Sequence, residues 1–210
     1  MIKKFLLIII ISFLPLFIGG ISCDDCPESE DRFKVTSLIW GEWEASYSEN
    51  ARPQLKFSEI NNGSVRYNKF AIVNSVEKET YYSLSERLNQ IFTTNTLLAC
   101  QRPPPRTDEK LNDIKIFSNR DYNLDYLYNS NLADLFDVII SSWTTGESDV
   151  KYNLVDYLKS NPFVPNSMTL ILREPPSSTN EFEFRVEYYL DGIDHDYFDH
   201  LTKRIIIRTE

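Results

Sequence analysis

The sequence has little histidine or cysteine, and fewer basic than acidic side chains. Two His and three Cys in 210 residues leave few ligands for a zinc site or a cysteine cluster. The 22 Lys and Arg against 31 Asp and Glu give a formal charge of −9, which argues against nucleic acid as a partner. With 42% hydrophobic residues, the composition is that of a globular chain rather than a disordered or multi-span membrane protein.

The longest apolar run lies at the very start of the chain. Two lysines precede an apolar stretch that ends in small residues, and this order predicts a secretory signal peptide over residues 1–22. The Gly-Ile-Ser directly before Cys23 resembles the lipobox of bacterial lipoproteins. The resemblance implies that the Cys23 thiol becomes a diacylglyceryl thioether, that the chain is cleaved before Cys23, and that the new amine is acylated by palmitate or a similar chain. An uncleaved membrane helix and free secretion are the alternatives.

The other two cysteines follow from this compartment. If Cys23 carries lipid, Cys26 and Cys100 remain, and two thiols left in an oxidising compartment most simply form a disulfide. Two free thiols are the alternative. Acidic residues without any aliphatic side chain predict a solvated tether over 23–32, and residues 33–210 are predicted to form a single domain that the lipid holds at the membrane.

Alternation of apolar and polar residues dominates this domain, which predicts strands with one buried and one solvated face. Helical spacing is scarce and is confined to 85–90, 131–139 and 153–160. The predicted class is therefore all-β: an immunoglobulin-like antiparallel β-sandwich with one to three short helices. The predicted strands include residues 33–39, 55–57, 65–67, 70–72, 168–172, 182–188 and 205–207.

Turn signals suggest how these strands are connected. Asn62-Gly63 predicts a hairpin between the strands on either side. Pro175-Pro176 predicts a longer loop that joins two adjacent strands. The proline-rich segment 101–110 predicts a stiff connector between an N-terminal and a C-terminal group of strands.

Five short motifs follow one another along the chain: Cys23 to Pro27, Leu98 to Pro104, Ile114 to Asn123, Leu132 to Phe136 and Pro175 to Val186. In this order they resemble a family of uncharacterised lipoproteins from the Bacteroidota. The acidic start next to the lipidated Cys also resembles the export signal of surface lipoproteins in that group. The resemblance implies the bacterial outer membrane, at the cell surface, and supports the Cys26–Cys100 pairing. It implies no activity.

Catalytic and metal-binding signals are weak. The spacing of Asp194, Asp196 and Asp199 is reminiscent of a calcium loop, whereas the alternative is a solvated hairpin loop over 191–200. That loop also holds the only imidazoles, His195 and His200, and no G-x-S-x-G motif is present. We therefore expect no enzyme and no cofactor, calcium in this loop being the one exception considered.

Exposed aromatic rings offer a different kind of site. Trp40, Trp43 and Trp143 are candidate contacts for sugar rings or a protein partner, with core packing as the alternative. Because Trp40 and Trp43 lie three apart, a strand would place them on opposite faces. We expect a non-catalytic cell-envelope lipoprotein that binds a glycan or protein outside the cytoplasm. The alternatives are a structural accessory subunit of an envelope assembly, docked through a strand edge, and a metal-dependent hydrolase.

Overall fold

The computed structural model describes residues 32–48, 54–81, 106–140 and 150–210. These residues are mostly β, with 59% in strands and one short α-helix, and this confirms the all-β class. In chain order the strands are β1 (Arg32–Ser48), β2 (Gln54–Ser58), β3 (Ser64–Arg66), β4 (Phe70–Tyr81), β5 (Lys110–Ser118), β6 (Phe136–Ile140), β7 (Val150–Asn153), β8 (Ser167–Leu172), β9 (Asn180–Phe182), β10 (Phe184–Asp191), β11 (Tyr197–Leu201) and β12 (Ile205–Arg208).

The described strands form three sheets, in which antiparallel pairing dominates. The largest has six strands in the order β2-β1-β4-β8-β6-β7, all antiparallel to their neighbours. The second has the order β11-β10-β5, and the third has the order β3-β12-β9 with a parallel β3–β12 pair. Strands from before and after the proline-rich connector share the six-stranded sheet, and the sheets include a curled half-barrel.

One hydrophobic core joins the six-stranded sheet to the other strands. The ring of Phe184 on β10 stacks on Phe70 of β4, with centroids 5.3 Å apart, and meets the edge of Phe136 on β6 at 6.2 Å. All three rings are fully buried. Each contributes roughly 1.5–3 kcal/mol through the apolar surface it removes from water, so these contacts hold β10 against the larger sheet.

A smaller apolar cluster lies on the opposite face of the six-stranded sheet. It consists of Ala45, Ala71, Ile139 and Ile171, with Tyr47 and Leu55 packed against it. As a result β8 is buried on both faces, and the expectation that its alternate residues face solvent is wrong. A central strand with apolar clusters on both sides carries an almost continuous hydrophobic run.

A β-bulge changes the facing of β1. The register with β4 shifts between Val35 and Ser37. Before the shift Val35 is buried in the core, whereas after it Leu38 packs against the core and Ile39 is 55% exposed. The predicted alternation over 33–39 is therefore wrong at Ile39, because the extra residue of a bulge moves the following side chains to the other face.

The helix predicted over 131–139 is wrong. A 3-10 turn (Ala133–Leu135) leads directly into β6, which lies between β7 and β8. The side-chain oxygen of Asn131 accepts hydrogen bonds from the backbone N–H groups of Ile116 and Ala133, each at 3.1 Å. Alternate residues of β6 are buried on both faces of the sheet, and β6 pairs with β7 and β8. These tertiary contacts override the helical spacing of the segment.

The helix predicted over 153–160 is confirmed as α1 (Leu154–Lys159). The side-chain oxygen of Asn153 caps it by accepting the backbone N–H groups of Val155 and Asp156 at 3.0 and 3.2 Å. The segment 85–90 lies outside the described residues.

Both predicted strand connections are wrong in their pairing. Asn62 and Gly63 adopt positive φ values of 55° and 63°, as a tight turn requires. They do not close a hairpin, however, because β2 pairs with β1 and β3 pairs with β12. Likewise, the Pro175-Pro176 loop connects β8 to β9, which belongs to a different sheet.

The segment 191–200 contains a shorter loop than predicted. β11 begins at Tyr197 and pairs with β10, so the connecting loop covers only residues 192–196. Asp199 and His200 therefore lie on a strand and not in the loop. The backbone of Gly192 approaches His195 so closely that a Cβ at Gly192 would lie 2.0 Å from the His195 carbonyl oxygen.

Candidate functional site

A cleft of about 620 Å³ opens beside the middle of β1. Its walls come from β1, from the turn that follows β2, and from the end of β11 with the loop that leads into β12. We call it the Trp40–His200 cleft. It is lined by Trp40, Gly41, Glu42, Trp43, Glu59, Ile60, Gly63, His200, Leu201, Lys203, Arg204 and Ile205.

His200, Trp40 and Glu42 form the polar centre of this cleft. The imidazole of His200 lies parallel to the indole of Trp40, with an interplanar angle of 3° and ring centroids 5.1 Å apart. Its Nε2 lies 2.9 Å from Oε1 of Glu42. Since a carboxylate only accepts hydrogen bonds, Nε2 donates in this pair. The Glu42 side chain is 9% exposed, so both rings and the carboxylate are held in a fixed arrangement.

The core supports this arrangement from below. The indole of Trp40 meets the ring of Tyr188 on β10 edge to face, with centroids 6.2 Å apart. Tyr188 is fully buried, and burial raises the pKa of its phenol, so it stays neutral. β1 and β11 belong to different sheets, and the contacts of His200 with Trp40 and Glu42 connect them at this point.

The rim of the cleft carries charges of both signs. Nε of Arg204 lies 3.2 Å from Oε2 of Glu183. Lys203 and Glu59 form no ion pair with any residue in the described ranges. These two side chains are therefore free to interact with a ligand.

Trp43 lies on the other face of β1 and is 37% exposed, which confirms the prediction that the two tryptophans point to opposite faces. Its ring packs at a tilt against the ring of Phe57 on β2, with ring centroids 6.4 Å apart. The indole of Trp43 also lies directly over Gly41. A Cβ at that glycine would lie 2.8 Å from Nε1 of the indole. The missing side chain of Gly41 thus makes room for the indole at the cleft.

Four predicted site residues lie outside the described residues: Trp143, Cys23, Cys26 and Cys100. The lipidation and the disulfide stay predictions. In the described ranges no helix is long and apolar enough to cross a bilayer.

The three candidate calcium ligands have separate surroundings. Asp194 Oδ2 lies 2.6 Å from Nζ of Lys34, and hydrogen bonds to Asp194 and then to Glu79 raise the pKa of that lysine. Asp196 accepts a hydrogen bond from the backbone N–H of Gly192 at 3.3 Å, and Asp199 lies on β11. Over the described ranges, no group of three or more His, Cys, Asp or Glu side chains is placed to hold a metal ion.

Sequence reasoning missed Glu42, Glu59 and the cationic pair Lys203 and Arg204. Glu42 and His200 are 158 positions apart, so no local pattern links them. The sequence offered one signal for this site: His200 is one of only two histidines in the chain. That signal drew attention to His200 but placed it in a loop, whereas the structure places it on β11. In chemical terms the cleft offers flat aromatic surface beside fixed hydrogen-bonding groups, and the described residues that line it include no Ser, Thr or Cys nucleophile.

In comparisons with known proteins, no family model, curated protein or solved structure matches this chain.

Proposed function

We propose that this chain is a non-catalytic, lipid-anchored binding protein of the bacterial cell envelope, and that the Trp40–His200 cleft holds its ligand, a glycan or a protein segment. The observation that carries the proposal is the His200–Trp40–Glu42 cluster at the centre of the cleft. Binding sites combine apolar rings with a few oriented polar groups, and this cluster provides both.

The rim adds the features of a recognition surface. Trp43 offers a partly exposed ring at the mouth of the cleft, and Lys203 and Glu59 offer charges without partners in the described ranges. Aromatic anchors surrounded by polar groups are typical of sites for sugars and for protein partners. A hydrolase that forms a covalent intermediate through Ser, Thr or Cys would need a hydroxyl or a thiol beside His200, and the described lining supplies neither.

The location is proposed from the sequence. Cys23 would carry the lipid, Cys26 and Cys100 would form a disulfide, and the domain from residue 33 onward would face the cell exterior as a member of the lipoproteins it resembles. For the fold we propose the finer class of an immunoglobulin-like sandwich, supported by a shared core between antiparallel sheets.

The cleft is tested with the full chain solubilised in detergent, on a glycan array and in a pull-down from envelope extract. We expect a ligand whose affinity falls about tenfold in Trp43→Ala, the cost of removing one central aromatic contact. Tyr152→Ala is the matched control, because Tyr152 is 45% exposed on β7, away from the cleft. An equal loss in both variants, or none in Trp43→Ala, would contradict the proposal.

The anchor is tested in cells fed a clickable palmitate analogue. We expect label in the wild type and in Cys26→Ser, and none in Cys23→Ser, because only the first cysteine follows the lipobox. Equal labelling of Cys23→Ser and wild type would remove the basis for the proposed location.

A further inference from the structure

We propose that the Trp40–His200 cleft takes an extended segment of a partner protein, which adds as a strand to the edge of β1 that no other described strand occupies. This inference rests on the proposed function, because it names the ligand class for the same cleft. It follows from where the backbone hydrogen-bonding groups of β1 point.

β1 is 17 residues long, but its two edges are not equally paired. Along one edge, β4 pairs with β1 from Arg32 to Glu44. Along the other edge, β2 covers only Glu44 to Ser48. After Ser58 the chain turns away toward β3, which pairs with β12, so no strand among the described residues pairs with the middle of β1 along this edge.

The start of this second edge is closed by other groups. The carbonyl of Arg106 accepts the backbone N–H of Phe33 at 2.9 Å. The Oε2 atom of Glu109 accepts the backbone N–H of Val35 at 2.7 Å. The open stretch therefore runs from the bulge after Val35 to Glu44, where β2 takes over.

The direction of the free groups follows from one contact. The hydroxyl of Ser58 donates to the carbonyl of Glu44 at 3.4 Å, so the backbone groups of Glu44 face β2. Because N–H and C=O groups alternate sides along a strand, those of Glu42 and Trp40 face the same edge. In the described part of the chain, no hydrogen bond reaches the backbone of either residue on this edge.

Both residues also line the cleft, so this edge of β1 borders the ligand space. Each contributes one donor and one acceptor, and the two pairs are separated by about 7 Å, the repeat of an antiparallel strand. An extended peptide reproduces this pattern with its own backbone, whereas a sugar has no such repeat. Strand addition to an exposed edge is a common mode of peptide recognition.

The side chains beside the edge indicate the chemistry of the segment. On the outer face, Ile39, Trp43 and Phe57 are 55%, 37% and 45% exposed. Side chains of an added strand alternate between the two faces. We therefore expect a segment of about five residues whose alternate side chains are apolar and pack on these three, with polar residues between them toward Lys203 and Glu59.

The test uses the full chain in detergent and a displayed library of random ten-residue peptides. For the selected peptide, affinity is compared between Glu42→Pro and Glu42→Ala. Both variants lose the carboxylate that holds His200, but only proline removes the N–H that faces the edge, where a strand tolerates it. We expect the proline variant to bind about tenfold more weakly than the alanine variant, the effect of one hydrogen bond.

Two further measurements apply if the proline variant does not fold. Peptide binding to the wild type should slow amide exchange at Trp40 and Glu42, and leave Gly41 and Trp43, which face β4, unchanged. N-methylation of the peptide should weaken binding at alternate positions only. Equal affinity of the two Glu42 variants, protection without alternation, or tolerance of N-methylation at every position would overturn strand addition.

The outcomes separate this inference from the proposed function. A glycan that binds and is lost in Trp43→Ala, with no peptide selected, would overturn the inference and leave the proposed function standing. Protection of the Trp40 and Glu42 amides by raised protein concentration alone would assign the edge to a second copy and also overturn it. If no ligand responds to any cleft variant, the proposed function itself fails.

Discussion

Replacing Glu109 by glutamine should destabilise the fold, because this one buried residue joins its own segment to three others, two of them through its side chain. Glu109 is 1% exposed. Its carboxylate accepts the backbone N–H of Val35 at 2.7 Å and that of Ile193 at 2.8 Å. Its own carbonyl accepts the N–H of Val164 at 3.0 Å, and its N–H donates to the hydroxyl of Thr107 at 3.1 Å.

The magnitude follows from the number of acceptors that remain. Glutamine keeps the shape but offers one acceptor oxygen, so one of the two backbone N–H groups loses its partner. A hydrogen bond to a charged group contributes about 1.5–3 kcal/mol, and we expect Glu109→Gln to lower the free energy of unfolding by about 2 kcal/mol. Glu109→Ala loses both bonds and leaves a gap, so we expect a loss of about 4 kcal/mol.

Urea unfolding followed by circular dichroism measures both losses. Asp108→Asn is the matched control, because the neighbouring Asp108 forms an exposed ion pair with Arg32, and such pairs contribute less than about 1 kcal/mol. Amide exchange at Val35 and Ile193 should speed up in Glu109→Ala. If Glu109→Gln unfolds at the wild-type urea concentration, or costs no more than Asp108→Asn, the carboxylate does not hold these segments as argued.

Three further predictions concern the rest of the fold. Gly192→Ala should unfold at much lower urea than Gly63→Ala, because the new Cβ would meet the carbonyl of His195 at 2.0 Å, whereas Gly63 has open space and only its φ of 63° to maintain, a cost of about 1 kcal/mol; similar midpoints would contradict this. Asn153→Ala should cost about 1 kcal/mol through loss of the α1 cap, while Asn153→Asp should retain most of the stability, both measured by urea unfolding. Burial raises the pKa of Tyr122 and Tyr188, and raises that of Tyr157 to about 12. The stability that depends on these neutral phenols is therefore complete below about pH 10, the pKa of an unfolded tyrosine, and is lost progressively as the pH rises through the raised folded pKa values. Alkaline titration should show phenolate absorbance rising together with loss of circular dichroism, and ionisation of all tyrosines without unfolding would refute it.

Local patterns predicted several of the strands but not their partners, and they missed β6, which was predicted as part of a helix, and β11, which was predicted as part of a loop. The alternation from Phe184 to Leu190 appears in the structure as β10, with Phe184, Val186, Tyr188 and Leu190 buried. The same pattern could not show that Phe182, two residues earlier, belongs to β9 and pairs with β12. Side-chain alternation continues across this change of sheet, because it records which face is buried and not which strand lies alongside.

The candidate site was predictable only in its aromatic part. A strand with period two necessarily places Trp40 and Trp43 on opposite faces, and this was correct. The partners of Trp40 come from distant sequence, since His200 lies on a strand that the spacing of Asp194 to His200 had suggested to be a loop. A cluster of polar residues resembles a loop in the sequence when the strand beside it is unknown. Here Asp199 and His200 form part of a strand because they pair with Glu187 and Val186 of β10.

The bulge in β1 ties the buried carboxylate to the open edge. The adjacent polar residues Thr36 and Ser37 interrupt the alternation that begins at Phe33, and this break in phase was the one sequence signal of a bulge. Before the bulge, the backbone N–H of Val35 faces Glu109; after it, those of Trp40 and Glu42 face the same edge as the backbone groups of Glu44. If the same residues ran as a regular strand with no bulge, the backbone groups of Gly41 and Trp43 would face the edge and Trp40 would point away from His200. The same one-residue shift therefore sets both the stacking of Trp40 on His200 and the edge toward which the backbone groups of Trp40 and Glu42 point, and the bond from the Val35 N–H to Glu109 lies directly beside this shift.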